Sequence, residues 1–479
     1  MSQSLAPQNM YKDEHIRVPR YRYARIPLNN LPSGIVSIQP TSTTLLEWKL
    51  SANTVFNLSR SHIGYQYQIP ASSGNYCCTF EDGHDFRYAY FGNGSGLGIV
   101  DLQFSDCLVN SVRPIATSQD NYLTHDPLTQ FYKSNQLAAT NILPFSRDGL
   151  LAGIDNGSTT NYLESQHLAI CTTPNTAVNV SRYIPLSNYK DTAFEMDKDL
   201  VFGSDMYLRF NTQYLQRMAF YTTTPNNPNV AGNFTAITAA ANAVNMYLYL
   251  AIEENIDIRN SLLSHLASGA MRMTIPYTYM YRFASSGNTS SANISLTLTK
   301  NYGRAVKKIT VLPYNAQEYT QYAFDHSNVN GTKLASIQST MDGRPNTDYV
   351  LNCYNPNSSI IPTGVTLGQA SFADDYRESL KFTKGSCLFC YADYQTQWFY
   401  ADAWGVPNNG TQEYKQPQEN VCDGFDLLHS GDHVYAIQAT TPALQTSTNN
   451  CYTNGLVMYV AVKFIRTLEI KSDGILLSP

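Results

Sequence analysis

The chain has 479 residues, with 32 Lys and Arg against 37 Asp and Glu, a net charge of −5 and a pI near 6.0. A hydrophobic content of 43% excludes a disordered chain, and the acidic balance excludes a protein-wide basic footprint for nucleic acid or an anionic membrane. Only 14% of residues are charged, against roughly 25% in an ordinary soluble chain; 35 Tyr and abundant Asn, Ser and Thr fill the gap, a balance that favours β structure.

From the start, Met1 to Arg25 is the one basic stretch: Lys12, Arg17, Arg20, Arg22 and Arg25 outweigh Asp13 and Glu14, with Tyr11, Tyr21 and Tyr23 among them. Residues 1–35 are therefore expected to form an N-terminal arm. It could lie on phosphates, but a terminus that is solvated or clasps a neighbour is the preferred reading. The N-terminus is polar and has no apolar h-region, so secretion is not expected. The nine cysteines, in a chain without a signal segment, read as reduced thiols, which points to synthesis in a cell interior, cytoplasm or nucleus.

Further along, apolar residues alternate with the period of half-buried strands. Leu46, Trp48 and Leu50 form the first run and Ile63, Tyr65, Tyr67 and Ile69 the second, with Asn57 to Arg60 read as a connection between them. Met206, Leu208, Phe210 and then Met246, Leu248, Leu250, Ile252 follow. After these come Met271, Met273, Ile275 and Ile294, Leu296, Leu298. Polar loops separate them, for example Thr222 to Gly232, Ala284 to Ser291, Asn352 to Gly364 and Val406 to Gln418. One segment changes period: Ile258, Leu262, Leu263 and Leu266 return at helical spacing, with Asp257 or Asn255 as N-cap and Gly269 as stop. Roughly 220 residues of strands precede this helix and roughly 200 follow, each the size of a β-sandwich with inserted loops. Near the end, the apolar window Leu456 to Ile465 is too short to span a bilayer and is interrupted by Lys463. The expectation is an all-β chain: a first sandwich over 36–256, a connecting helix over 257–270 and a second sandwich over 271–479. No repeat is visible in the residues, so any likeness of the halves is one of fold.

Four segments, taken in order, carry a family resemblance. They are Leu45-Leu46-Glu47-Trp48-Lys49-Leu50 followed by Phe56-Asn57-Leu58-Ser59-Arg60-Ser61; Ile184-Pro185-Leu186-Ser187-Asn188-Tyr189 with Phe194, Asp197-Lys198 and Met206 to Phe210; Asn245 to Glu254 before the helix; and the closing Tyr459 to Ile470. Together they resemble the major capsid proteins of the adenovirus-like lineage of double-stranded DNA viruses, most closely those of Polinton-like viruses, adintoviruses and virophages. The chain departs from the large-DNA-virus branch at Glu253-Glu254-Asn255-Ile256, where that branch often has "ERR". The resemblance implies a double jelly roll, two jelly-roll β-sandwiches side by side and roughly perpendicular to a shell. Three subunits would make a pseudo-hexagonal capsomer of an icosahedral virion enclosing double-stranded DNA. Penton and minor or cement proteins would be further partners.

No residue shows a catalytic, cofactor-binding or metal-binding role. Cys387 and Cys390 form a CxxC, and His429 and His433 an HxxxH, but the pairs stand too far apart for a zinc finger and Gly431 interrupts the second. Gly92 to Gly98 lacks the frame of a phosphate loop and reads as a surface turn. The pairs Glu253-Glu254 and Asp374-Asp375 point to opposite faces if they lie in strands. Sequons occur at Asn57, Asn93, Asn156, Asn179, Asn233, Asn288, Asn293, Asn330, Asn357 and Asn409, where chance predicts several in a chain of this composition. Trp398, Phe399, Tyr400 and Trp404 could stack on a sugar, but packing beneath a loop is preferred. Three rivals remain: a single jelly roll with large insertions, a secreted glycan-binding adhesin and a β-sandwich hydrolase. The first predicts one β core, the second an exposed aromatic cluster and the third an acid/base or nucleophile constellation.

Overall fold

The computed structural model describes residues 20–80, 86–94, 98–103, 168–170, 174–189, 192–223, 234–269, 271–289, 291–315, 336–346, 350–352, 400–404, 424–429, 431–440 and 455–478. Before the longest helix lie β1 (Tyr21–Pro27), β2 (Val36–Ile38), β3 (Leu45–Leu50), β4 (Phe56–Ile69), β5 (Tyr76–Phe80), β6 (Phe86–Gly92) and β7 (Gly98–Gln103). They are followed by β8 (Leu168–Ile170), β9 (Val178–Pro185), β10 (Asp199–Leu200), β11 (Met206–Thr212), β12 (Ala219–Thr222), β13 (Phe234–Thr235) and β14 (Ala241–Glu253). After the helix come β15 (Met271–Ala284), β16 (Ser291–Leu298), β17 (Ala305–Asn315), β18 (Ser336–Met341), β19 (Arg344–Pro345) and β20 (Leu351–Asn352). The last are β21 (Tyr400–Ala403), β22 (Phe425–Asp426), β23 (His433–Thr440), β24 (Leu456–Lys471) and β25 (Gly474–Ser478).

Two sheets of the first half run β1-β14-β4-β10 and β3-β11-β6-β7; two of the second run β15-β24-β17-β21 and β16-β23-β18-β19. Taking the eight principal strands of each half in chain order, both halves read 1-8-3-6 in one sheet and 2-7-4-5 in the other. That is the jelly-roll order, present twice, so the fold is a double jelly roll. A further sheet, β13-β12-β5-β8, is attached to the first half.

The predicted alternation sets which side of each sheet is inside. Leu46, Trp48 and Leu50, the run Ile63 to Ile69, and Met206, Leu208 and Phe210 are all buried. Phe210 touches Trp48, Phe86 and Phe194 with ring centroids 4.9 to 6.2 Å apart, in tilted, edge-on and stacked contacts. Single-sided strands of the second half, such as β16 with Ile294, Leu296 and Leu298, repeat the scheme.

Two expectations need correcting. Asn57 to Arg60 is not a connection but the start of the 14-residue strand β4, irregular because its register against β14 shifts between Tyr249 and Ala251. Residues 21–35 are not part of an arm: Tyr21 to Pro27 pair residue for residue with Glu253 to Tyr247, as the edge strand β1. Residues 1–19 lie outside the described residues. The helix spans Ile256–Ser268, and Asn255 rather than Asp257 caps it, its side chain accepting from the backbone N–H of Asp257 and Ile258.

Candidate assembly surface

The segments that carried the resemblance meet in space. Arg60 donates through Nε and Nη2 to the two carboxylate oxygens of Asp197 at 2.8 and 2.7 Å, and Asn57 Nδ2 adds a bond at 2.9 Å. Burial alone would raise the Asp197 carboxyl, but the Arg60 guanidinium and these donors hold it below the usual range. Beside it, Tyr21 donates to Asp199 at 2.7 Å, and burial pushes that carboxyl up. β10 pairs Asp199 and Leu200 with Asn57 and Phe56, so this polar cluster pins β4 where its ladder is irregular.

The halves touch along β7 and β15. Asp101 of β7 accepts from Tyr88 at 2.6 Å, and its charge, after burial, helps push the Tyr277 phenol of β15 up to about 12. Leu266 of the helix, with Ile275, Leu468, Ile470 and Ile475, joins the apolar core of the first half. A Cβ on Gly203 would collide with the Ser472 carbonyl, so the first half can approach the β24–β25 turn only with glycine there.

The edge strands differ in cover. On β15, Ile275 through Thr278 are buried. On β1 no residue is buried, and Tyr23 is 54% exposed. Arg20 and Arg22 form ion pairs with Glu254, and the Arg25 guanidinium lies 4.5 Å from the Tyr247 ring centroid. Arg20 and Arg22 remain mostly exposed, with side chains 81% and 63% accessible, so these pairs leave both guanidiniums open to solvent. On the outer face of the same sheet, His62 stacks on Tyr249 at 4.7 Å and tilts against Tyr183 at 4.1 Å; burial lowers its pKa to about 4.

Among the described residues, those tested for chemistry do not converge. His429 bonds Asp426 and His433 bonds Asp342, each at 2.6 Å, while Cys387 and Cys390 lie outside the described residues. Among the described residues no group of three or more His, Cys, Asp or Glu could hold a metal ion. Gly94 sits at φ +82° beneath Tyr207 in the turn between β6 and β7; residues 95–97 are outside the described set. Glu253 is buried, accepting from the backbone N–H of Arg20 and Asn255, while Glu254 reaches Arg20 and Arg22. Asp374-Asp375 lies outside the described residues. Of the sequons, Asn57 is buried and bonded, which leaves no room for a glycan, whereas Asn179, Asn288 and Asn293 are exposed. Asn93 is half-buried, and Asn156, Asn233, Asn330, Asn357 and Asn409 lie outside the described residues.

Trp398 and Phe399 also lie outside. Tyr400 is buried, and Trp404 packs edge-on against Phe425 and Tyr435, so the two described aromatics form no sugar platform. Sequence reasoning missed what they surround. The Asp402 carboxyl, between the two sheets, accepts from Ser339 at 2.5 Å, Tyr435 at 2.7 Å, Tyr400 at 3.2 Å and Asn346 at 3.3 Å. Burial raises its pKa despite these four neutral donors, and burial with the Asp402 charge raises Tyr435 well above its ordinary value. The donors are scattered over about a hundred residues without a motif, so no local signal could have found them.

No family model matches the chain, and no curated protein matches it. Solved structures do. The quasi-atomic model of the PBCV-1 virus capsid superposes with a TM-score of 0.53 at 9% identity, covering 98% of this chain and 99% of that one. PBCV-1 VP54, fitted into a reconstruction of the virophage Sputnik, gives 0.51 at 9% identity with the same coverage. The mavirus major capsid protein gives 0.43 at 10% identity, covering 99% and 94%. The chain has the double jelly-roll fold, and the structures similar to it are major capsid proteins of large double-stranded DNA viruses and virophages. A single jelly roll with insertions, which requires one β core, does not describe it.

Proposed function

We propose that the chain is a major capsid protein, a structural subunit that forms homotrimeric, pseudo-hexagonal capsomers and tiles an icosahedral virion around double-stranded DNA, without catalysis. The observation that carries this reading is the strand order 1-8-3-6 and 2-7-4-5 occurring twice in one chain. Three two-lobed subunits approximate six-fold packing while keeping true three-fold symmetry. The division between the lobes falls at the helix, the first jelly roll ending with β14, the second starting with β15, and β1 belonging to the first. Penton and minor or cement proteins would complete the shell, and synthesis would take place in the host cell interior. Genome contact by the N-terminus would draw on Lys12 and Arg17 together with the exposed Arg20, Arg22 and Arg25.

Light scattering on the purified full chain, with negative-stain images of the same peak, tests this. A pseudo-hexagonal particle near 160 kDa, three times the chain's 53.5 kDa, is expected. A stable monomer of 53.5 kDa would overturn the reading.

A further inference from the structure

We propose that the outer face of the sheet β1-β14-β4, with β9 alongside β4, carries a binding site for an acidic sugar, a pyranose ring bearing a carboxylate. The inference goes beyond the capsomer reading and does not rest on it, since every residue of the site belongs to the first lobe of one chain. A cavity of about 440 Å³ lies on this face, within the roughly 300–1,000 Å³ usual for small-ligand sites. Its apolar part is aromatic. Tyr249, His62 and Tyr183 form a row of touching rings, and Tyr23 extends it 5.7 Å from His62. Gly64 lets the row lie flat on β4: a Cβ there would stand 2.9 Å from Tyr249 Cε2 and lift the ring. Aromatic faces, negative at their centres, attract the C–H bonds of a pyranose ring.

The polar part selects the class. Gln66, Ser181 and Asn245 stand exposed at the cavity, none of their side chains bonded to another described residue, and they offer the donors and acceptors that sugar hydroxyls need. Asn245 enters from a bulge, where the register of β14 against β4 shifts between Val244 and Tyr247 and the backbone turns left-handed at φ 56°. No carboxylate lines the cavity among the described residues. Arg182 donates to the Tyr67 phenol at 3.2 Å, and His62, its pKa lowered to about 4, is neutral at neutral pH. That leaves Arg25. Its guanidinium lies over the Tyr247 ring with no acceptor among the described residues, so its N–H edge is open to a bidentate carboxylate. A neutral sugar would leave that edge unused, and a small anion would leave the rings unused. A nucleic acid strand also stacks on such rings, but it needs a run of cations for successive phosphates, and Arg25 is a single one.

Saturation-transfer NMR titrations of the full chain with glucuronate, glucose, acetate and adenosine monophosphate test this, together with Arg25→Gln, Tyr183→Ala and, on β19 of the second lobe, Arg344→Gln. Glucuronate is expected to bind about tenfold more tightly than glucose, the worth of one charge-assisted pair, and more tightly than acetate or adenosine monophosphate. Arg25→Gln should remove the preference over glucose, and Tyr183→Ala should weaken glucuronate about fivefold, while both melt like wild type. Arg344→Gln should change nothing. Should Tyr183→Ala fail to fold, Arg25→Gln and the ranking of the four probes on wild type decide. Glucuronate bound no more tightly than acetate, undiminished binding in Arg25→Gln, or a preference for adenosine monophosphate would overturn the site. Light scattering on the same samples reads the capsomer separately, so failure of one leaves the other standing.

Discussion

The two jelly rolls share a strand order, yet their first strands live in different surroundings. β15 is sealed by β7, which lets it carry the apolar run Ile275-Pro276-Tyr277, while β1 lies open and carries Tyr-Arg-Tyr-Ala-Arg. The polar clusters differ as well. The first lobe holds Asp197, at its surface, with a guanidinium, and the second holds Asp402, between its sheets, with neutral hydroxyls and an amide. One topology thus tolerates opposite electrostatic solutions, because strand order is fixed by the apolar faces and the polar clusters only fasten its weak points.

The largest way to break the comparison is to hollow out one lobe alone. Trp48 is fully buried against Phe210, so Trp48→Ala should cost about 3–5 kcal/mol, seen as early loss of hydrogen-exchange protection in β3, β4 and β11 while β16 and β23 hold. Simultaneous loss in both lobes would show that they unfold as one unit. Next is the seam between them. Gly203→Ala drives a methyl into the Ser472 backbone and should cost about 1–3 kcal/mol, with exchange rising first at the β24–β25 turn.

What could be read from sequence follows the same physics. Strands with one buried face, such as Ile63-Tyr65-Tyr67-Ile69, were legible because water and core alternate along them. β1 was not, since an edge strand with neither face buried shows no apolar period, and its arginines read as a basic tail. Gly269 and the helical spacing marked the helix, but the choice between Asn255 and Asp257 as cap depends on backbone angles that composition does not carry. The Asp402 cluster was silent because its partners come from different strands, brought together only by the pairing of β18 with β23 and of β17 with β21.

Acid should separate the lobes. His62 titrates near 4 in the folded chain against an ordinary 6.5, so its neutral form contributes stability above pH 6.5 that is lost as pH falls through 4. Half-buried, it should account for on the order of 1–2 kcal/mol. Asp402 works in the other direction: its raised pKa gives a contribution present below the ordinary carboxylate range and lost as pH rises through the folded value. Melting from pH 7 to pH 4 with lobe-resolved exchange should show the first lobe weakening while the second holds or gains. His62→Phe, which keeps the stack without the titration, should flatten the first-lobe slope between pH 6.5 and 4 and leave the part that the lowered Asp197 and Glu47 carboxyls add at the acid end; an undiminished slope would mean that His62 does not carry it.

The smallest expected effect lies at the polar cluster that distinguishes the first lobe. Arg60 and Asp197 are partly exposed, with side chains 46% and 37% accessible, so solvent screens their ion pair despite its two-pronged geometry. Arg60→Ala should therefore cost no more than about 1 kcal/mol, less at high salt, and it should loosen β10 and the first residues of β4 rather than the whole sandwich. It should also raise the Asp197 pKa, because burial then acts on that carboxyl with only Asn57 and Ser59 to oppose it. The carboxyl resonance followed by NMR against pH would register that shift. An unmoved pKa would mean that Asn57 and Ser59, not Arg60, hold the carboxylate, and that β4 is pinned by neutral donors in the first lobe as Asp402 is held in the second.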